Sequence, residues 1–177
     1  MLCVQPFGDE AGASRRVLAA QARRLALRGW STWIVDLYGT GDSAGRSGQA
    51  SLPAWRADLL RACHLARDAC AGPFVLWGLR TGALLAADIA IAQDQLAAAM
   101  VFWEPMLAGP GQAGQIAQSS ATDGTPPALE RELGELALQA PILGAHAEPC
   151  AVLFVGMDPG HVPGTPPPMA LSRVAEQ

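Results

Sequence analysis

Lysine is absent from this chain, and all 12 basic residues are arginines. With alanine abundant, that reads as the coding bias of a GC-rich genome, not as a functional signal. An excess of positive charge is missing too: 16 acidic residues leave a net charge of −4 and a pI near 5.3, so nothing electrostatic points to nucleic acid. The four cysteines (Cys3, Cys63, Cys70, Cys150) form no C-x-x-C. Cys63 and Cys70 fall seven apart on one expected helix, roughly 10 Å along its axis, too far for an undistorted disulfide. They are expected to be reduced, packed thiols, with no metal site. No apolar run is long and unbroken: the stretch from Thr81 to Trp103 is interrupted by Asp88, Asp94 and two glutamines, whereas a membrane span needs ~20 nearly uninterrupted apolar residues. Met1 leads straight into Leu-Cys-Val-Gln-Pro without a basic segment. The expectation is a cytoplasmic protein with neither secretory signal nor membrane span.

What is present is enough to build a core. Half of the 177 residues are apolar and 16% are charged, the balance of one folded domain. Leu2–Val4 reads as a strand running into the loop Gln5-Pro6-Phe7-Gly8. Ser14 reads as the cap of a helix reaching about Arg28, with Gly29 as its stop. Trp30–Leu37 is rich in β-branched and aromatic residues and is expected to be a central strand. Ser51 is placed to cap a second helix, whose buried stripe is Trp55, Leu59, Cys63, Ala66 and Cys70. Phe74–Trp77 follows as a strand, Gly82 to about Gln93 as an almost wholly apolar helix, and Ala97–Trp103 as another strand. After an irregular stretch come a helix at about Ala128–Gln139, a strand at Ala151–Val155 and a weak helical tendency at Met169–Glu176. Alternation of this kind implies an α/β fold, a mostly parallel, doubly wound sheet with right-handed crossovers. The expected divisions are a core over 1–105, a lid-like or irregular insert over 106–127, the remainder of the core over 128–158 and a Pro/Gly-rich tail over 159–177.

Two glycine motifs carry the functional signal. In Trp77-Gly78-Leu79-Arg80-Thr81-Gly82, an apolar run stops at Gly78 and a helix opens at Gly82. This is the G-x-S-x-G spacing of a strand–turn–helix nucleophile elbow, with Arg80 in the place of the serine. The second is Asp36-Leu37-Tyr38-Gly39-Thr40-Gly41-Asp42-Ser43-Ala44-Gly45. Gly39-x-Gly41 lacks the third glycine and helix start of a dinucleotide loop, so no cofactor is expected. Gly39, Gly41, Asp42 and Ser43 read as structural loop residues, with Ser43 bonding the loop's own backbone.

Together these features resemble the α/β-hydrolase superfamily. More narrowly, Pro6-Phe7-Gly8-Asp9-Glu10 with Ser14-Arg15-Arg16, the Asp36–Gly45 loop and the Trp77–Gly82 elbow are similar to motifs of the exosortase A system-associated hydrolases of type 2. The likeness is dense over residues 5–104 and thin afterwards. It implies a bacterial setting linked to exopolysaccharide production and to protein sorting by exosortase. Within that subfamily pattern an elbow arginine is the expected residue.

The superfamily's chemistry uses a serine, a histidine and an acid. Arg80 is no nucleophile, because guanidinium stays protonated. Asp158 stands at the acid position after the last strand. His161 follows it by only three residues, His146 precedes it and His64 lies mid-helix, so no triad can be drawn. Relative to the superfamily fold the first and last strands are missing, which implies an open sheet edge or an apolar face that a partner chain covers.

Two readings of the elbow stand side by side. In one, Arg80, Thr81, Phe7 and Gly8 bind an anionic or acyl-bearing small molecule. In the other, Arg80 is a structural strut paired with Glu104, Asp36 or Asp158, and Asp9 and Glu10 pair with Arg15 or Arg16. Gly78 and Gly82 are structural in both. The functional alternatives are a ligand-binding protein with a degenerate hydrolase site, a partner-binding pseudoenzyme, and a hydrolase with an unrecognised nucleophile.

Overall fold

Apolar strands that meet helices on both faces can form only inside a sheet, and the shortest of them sets the pattern here. The computed structural model describes residues 1–93, 95–105, 124–136, 151–155 and 172–173. Strand β1 (Leu2–Val4) is buried at every position and lies between β2 (Trp33–Val35) and β3 (Val75–Leu79), parallel to both. β4 (Ala99–Trp103) pairs with β3, and β5 (Ala151–Val155) pairs with β4, again in parallel. β6 (Ser172–Arg173) runs antiparallel to β5, giving the order β2-β1-β3-β4-β5-β6. Residues 172–173 are thus extended, where the sequence suggests a weak helix. The sheet is mostly parallel, as expected for this α/β architecture.

Four α-helices occupy the described residues: α1 (Asp9–Ala26), α2 (Leu52–Asp68), α3 (Gly82–Ala92) and α4 (Pro127–Glu135). One core joins α2, α3 and α4 to the sheet through Trp55, Leu59, Leu84, Phe102, Leu129 and Leu133. A smaller cluster of Cys3, Leu18, Trp77 and Leu79 lies between the sheet and α1. The sheet is therefore doubly wound. Ser51 caps α2, its Oγ accepting the Ala54 N–H at 3.4 Å, and Trp55, Leu59, Cys63 and Ala66 form the buried stripe. Cys70 falls just past the end of that helix and is half-buried.

Two local expectations need correction. Helix α1 begins at Asp9, not after Ser14; Gly8, with φ 65°, turns the chain into the helix, and Ser14 donates to the Ala11 carbonyl inside it. Asp9 and Glu10 suit that first turn because the helix dipole favours carboxylates there. Trp30–Leu37 is not a central strand: only Trp33–Val35 pair, with β1 alone, and β2 ends the sheet among the described residues. Trp33 and Ile34 are accordingly 41% and 42% exposed. Residues 106–123 of the expected insert, and the tail except 172–173, lie outside the described residues. No helix of the described residues is long and apolar enough to cross a membrane.

Candidate functional site

The elbow is built where β3, buried along its whole length, turns into α3, which is buried on nearly every side. Strand and helix approach so closely there that neither glycine can be replaced by a larger residue. A Cβ on Gly78 would lie 2.5 Å from the Ala83 Cα, and one on Gly82 would lie 2.3 Å from the Val4 carbonyl oxygen. Between them Arg80 adopts φ 51°, a left-handed conformation that L-residues rarely take. The backbone of a nucleophile elbow is thus intact, and its N–H donates to the Trp103 carbonyl at 3.0 Å.

The side chain at its tip is engaged. Arg80 Nη2 donates to Glu10 Oε1 at 2.8 Å, and Nε lies 3.3 and 3.4 Å from the two Glu10 oxygens. Glu104 Oε2 stands 3.9 Å from Nη1 on the other side. The hydrogen bond to Glu10 raises the Arg80 pKa above its ordinary value; partial burial opposes the shift, and the charges of Glu10 and Glu104 add to it. Glu104, at the end of β4, is itself left-handed at φ 45°. Two strained, oppositely charged residues therefore face each other from adjacent strand ends.

Glu104 is among the partners expected for Arg80, whereas Glu10, expected to pair with Arg15 or Arg16, binds Arg80 instead. The available signal was that Glu10 opens the helix following the neighbouring strand, at the same edge of the sheet. Asp36, also considered for Arg80, is taken elsewhere. It accepts from Arg15 Nη2 at 2.9 Å, from the Asp42 N–H at 3.0 Å and from Gln5 Nε2. Asp158, His146 and His161 lie outside the described residues. The one described histidine, His64, is exposed on α2.

Thr81 does more than begin a helix. Its buried Oγ1 accepts the Phe7 N–H at 2.9 Å, tying the β1–α1 loop to the elbow. The glycine loop after β2 folds on itself. Ser43 Oγ donates toward the Leu37 and Thr40 carbonyls, and the Gly39 N–H donates to Ala44. Two of the thiols are closed off: Cys3 and Cys63 are buried, and burial pushes the Cys63 thiol up to about 12 and the Cys3 thiol still higher.

A cavity of about 310 Å³ opens between the β1–α1 loop, the inner side of α1 and the glycine loop, with Gln5, Phe7, Gly8, Gly12, Arg15 and Gly41 among its walls. Phe7 and Gly8 line it, while Arg80 and Thr81 do not. Of the four residues expected to share one ligand, two thus line this cavity, and Phe7 is joined to Thr81 at the neighbouring elbow.

Comparison with known proteins agrees with this fold. The family model described as "Serine aminopeptidase, S33" matches residues 11–146. A search of the curated proteins finds no match. Among solved structures, one from work on LipS and LipT, two metagenome-derived lipolytic enzymes, superposes with a TM-score of 0.64 at 18% identity, covering 88% of this chain and 70% of that one. α/β-Hydrolase domain-containing protein 10 from mouse gives 0.57 at 18% identity, covering 88% and 67%. AqdC, which recognises and cleaves the ring of the Pseudomonas quinolone signal, gives 0.54 at 17% identity, covering 91% and 74%. At such identities the likeness is one of fold.

Proposed function

The chain belongs to the serine aminopeptidase S33 family of the α/β-hydrolase superfamily, and from that premise we propose that it acts by binding and not by serine-type acyl transfer. The observation that carries this reading is the Arg80–Glu10 pair, with its 2.8 Å contact, at the tip of an otherwise preserved elbow. A guanidinium neither attacks a carbonyl nor passes a proton at neutral pH. An oxyanion hole also needs free donors aimed at the developing charge, and the Phe7 N–H already serves the Thr81 hydroxyl. The elbow keeps the shape of a catalytic turn and holds a charge clamp in it.

The three motifs shared with the type 2 exosortase A-associated hydrolases support placing this binding role in exopolysaccharide production or exosortase-dependent sorting. A second reading keeps an anionic or acyl-bearing ligand at the elbow, with Arg80, Thr81, Phe7 and Gly8 around it. One observation favours it: the Arg80 side chain remains 38% exposed. Against it stands the local charge, one cation between two carboxylates, so an incoming anion has to displace Glu10. Asp158, the acid candidate offered by the sequence, lies outside the described residues and has no assigned task on either reading.

The test is covalent. Incubation with a fluorophosphonate probe is expected to leave the chain unlabelled, and stoichiometric labelling would establish a working nucleophile and overturn the proposal. Thermal shifts with butyrate, compared between the wild type and Arg80→Ala, separate the two binding readings. A shift that disappears in the variant supports the elbow ligand.

A further inference from the structure

Residues 11–35 hold five of the 12 arginines and none of the 16 carboxylates, in a chain whose net charge is −4. They also hold Val17, Leu27, Trp33 and Ile34, four of the six exposed large apolar side chains among the described residues. Positive charge and apolar surface therefore coincide on α1 and on the edge strand that it leads into. Along α1 the two are laid out by helical spacing. Leu18 is buried, and Leu25 packs with it against the cluster on that side of the sheet. Arg16, Val17, Ala20, Arg23, Arg24 and Leu27 recur at three and four residues on the opposite side of the helix, and all are exposed.

No ion pair holds Arg16, Arg23 or Arg24 among the described residues, whereas Arg15, on the flank of the helix, is bound to Asp36. Asp9 is in line with the outer face but stands about 10 Å before Arg16 along the axis, and Glu10 is turned to Arg80. The helix dipole accounts for arginines in the last turn. It accounts neither for Arg16, two turns earlier, nor for a leucine left 89% exposed beside them. Guanidinium forks match phosphate oxygens through paired hydrogen bonds, and apolar side chains set among them match the acyl boundary beneath lipid headgroups. A nucleic acid offers the phosphates without that apolar layer. We propose that the outer face of α1 docks the protein on an anionic lipid bilayer, with Arg16, Arg23 and Arg24 on the lipid phosphates and Val17 and Leu27 in the headgroup boundary. The contact is peripheral, so it needs no membrane-spanning helix, and it does not depend on whether the elbow is silent.

Two variants separate the charge from the apolar contact without touching the core. Leu27→Ser alters a side chain that stands almost wholly in solvent at the end of α1. Arg16→Gln/Arg23→Gln/Arg24→Gln breaks no ion pair of the described residues and keeps good helix formers in place. Both are expected to fold, which thermal melts check.

The experiment is sedimentation of the full chain with vesicles of equimolar phosphatidylcholine and phosphatidylglycerol, beside vesicles of phosphatidylcholine alone. Binding is expected to the anionic vesicles only, and is expected to be lost as NaCl rises to about 0.5 M. The triple arginine variant should bind on the order of 100-fold more weakly, at about five-fold per arginine. Leu27→Ser should weaken binding about ten-fold although no charge has changed. Equal binding to both kinds of vesicle, no binding to either, or undiminished binding by either variant would overturn the proposal. Double-stranded DNA or polyglutamate bound as tightly as the anionic vesicles would overturn it too, by showing that the face takes any polyanion.

Discussion

Two glycine-marked turns stand near one another at the carboxyl ends of the strands, and they do opposite things with their charges. At the elbow, Glu10 and Glu104 both pair with Arg80 at the tip of the turn. At the loop after β2, Asp36 draws Arg15, Gln5 and the Asp42 amide to itself and leaves a cavity beside them. One turn holds an ion pair and the other borders a cavity. A hydrolase fold can thus keep the backbone of its catalytic turn while an ion pair takes the place of its nucleophile, since fold and chemistry are separable.

That contrast can be broken at its strongest point first. Gly82→Ala places a methyl group 2.3 Å from one backbone oxygen and 2.5 Å from another. Neither can retreat without moving β1, so a loss of about 3 kcal/mol is expected in denaturant melts. A loss below about 1 kcal/mol would mean that the elbow is not the tight element described.

The loop is tested by Asp36→Ala, which strands three donors and is expected to cost about 2 kcal/mol. Faster amide exchange at Asp42 should accompany it. If exchange there is unchanged, Asp36 does not hold the loop.

A subtler comparison returns to the elbow. Arg80→Gly and Arg80→Ala both remove a half-exposed ion pair worth at most about 1 kcal/mol, but only glycine relieves the φ of 51°. The glycine variant should therefore be the more stable of the two by about 1 kcal/mol. Equal stabilities would show that the left-handed turn carries no strain.

The smallest effect asks whether the sheet beneath both turns stays closed. Cys3 and Cys63 are buried in the two clusters on either side of it. Burial raises both thiols, Cys63 from 9.0 to about 12. A raised folded pKa keeps its full stabilising contribution below the unfolded value and loses it as pH climbs from there through the folded value. Each thiol should therefore cost about 0.4 kcal/mol at pH 9 and progressively more above it. Denaturant midpoints between pH 8 and pH 9 should fall in the wild type and flatten in the Cys3→Ala/Cys63→Ala double variant. An unchanged slope in that variant would place the alkaline loss elsewhere.

The sequence made the elbow legible because its requirements are local. Two glycines, an apolar run before them and an apolar helix after them allow few other structures. The Ser51 cap and the Trp55–Ala66 stripe were readable for the same reason. Arg80's principal partner was not, since Glu10 is 70 residues away and is brought near only by β1 pairing with β3. Ser14 mimicked a helix cap because serine suits that role anywhere, while the real start depended on the backbone angle of Gly8. The composition of Trp30–Leu37 announced a strand but carried no information about its place in the sheet, which the crossover connections decide. The cavity was equally invisible, for it arises from the spacing of two loops and not from any residue pattern.

The indole rings of Trp77 and Trp103 lie 5.8 Å apart and 13° from parallel, on β3 and β4. Transition dipoles held that closely exchange excitation, so the pair should give a coupled, two-signed band in far-ultraviolet circular dichroism. Because the Trp103 carbonyl also holds the Arg80 amide, the protein carries its own optical gauge of the elbow, readable without a label.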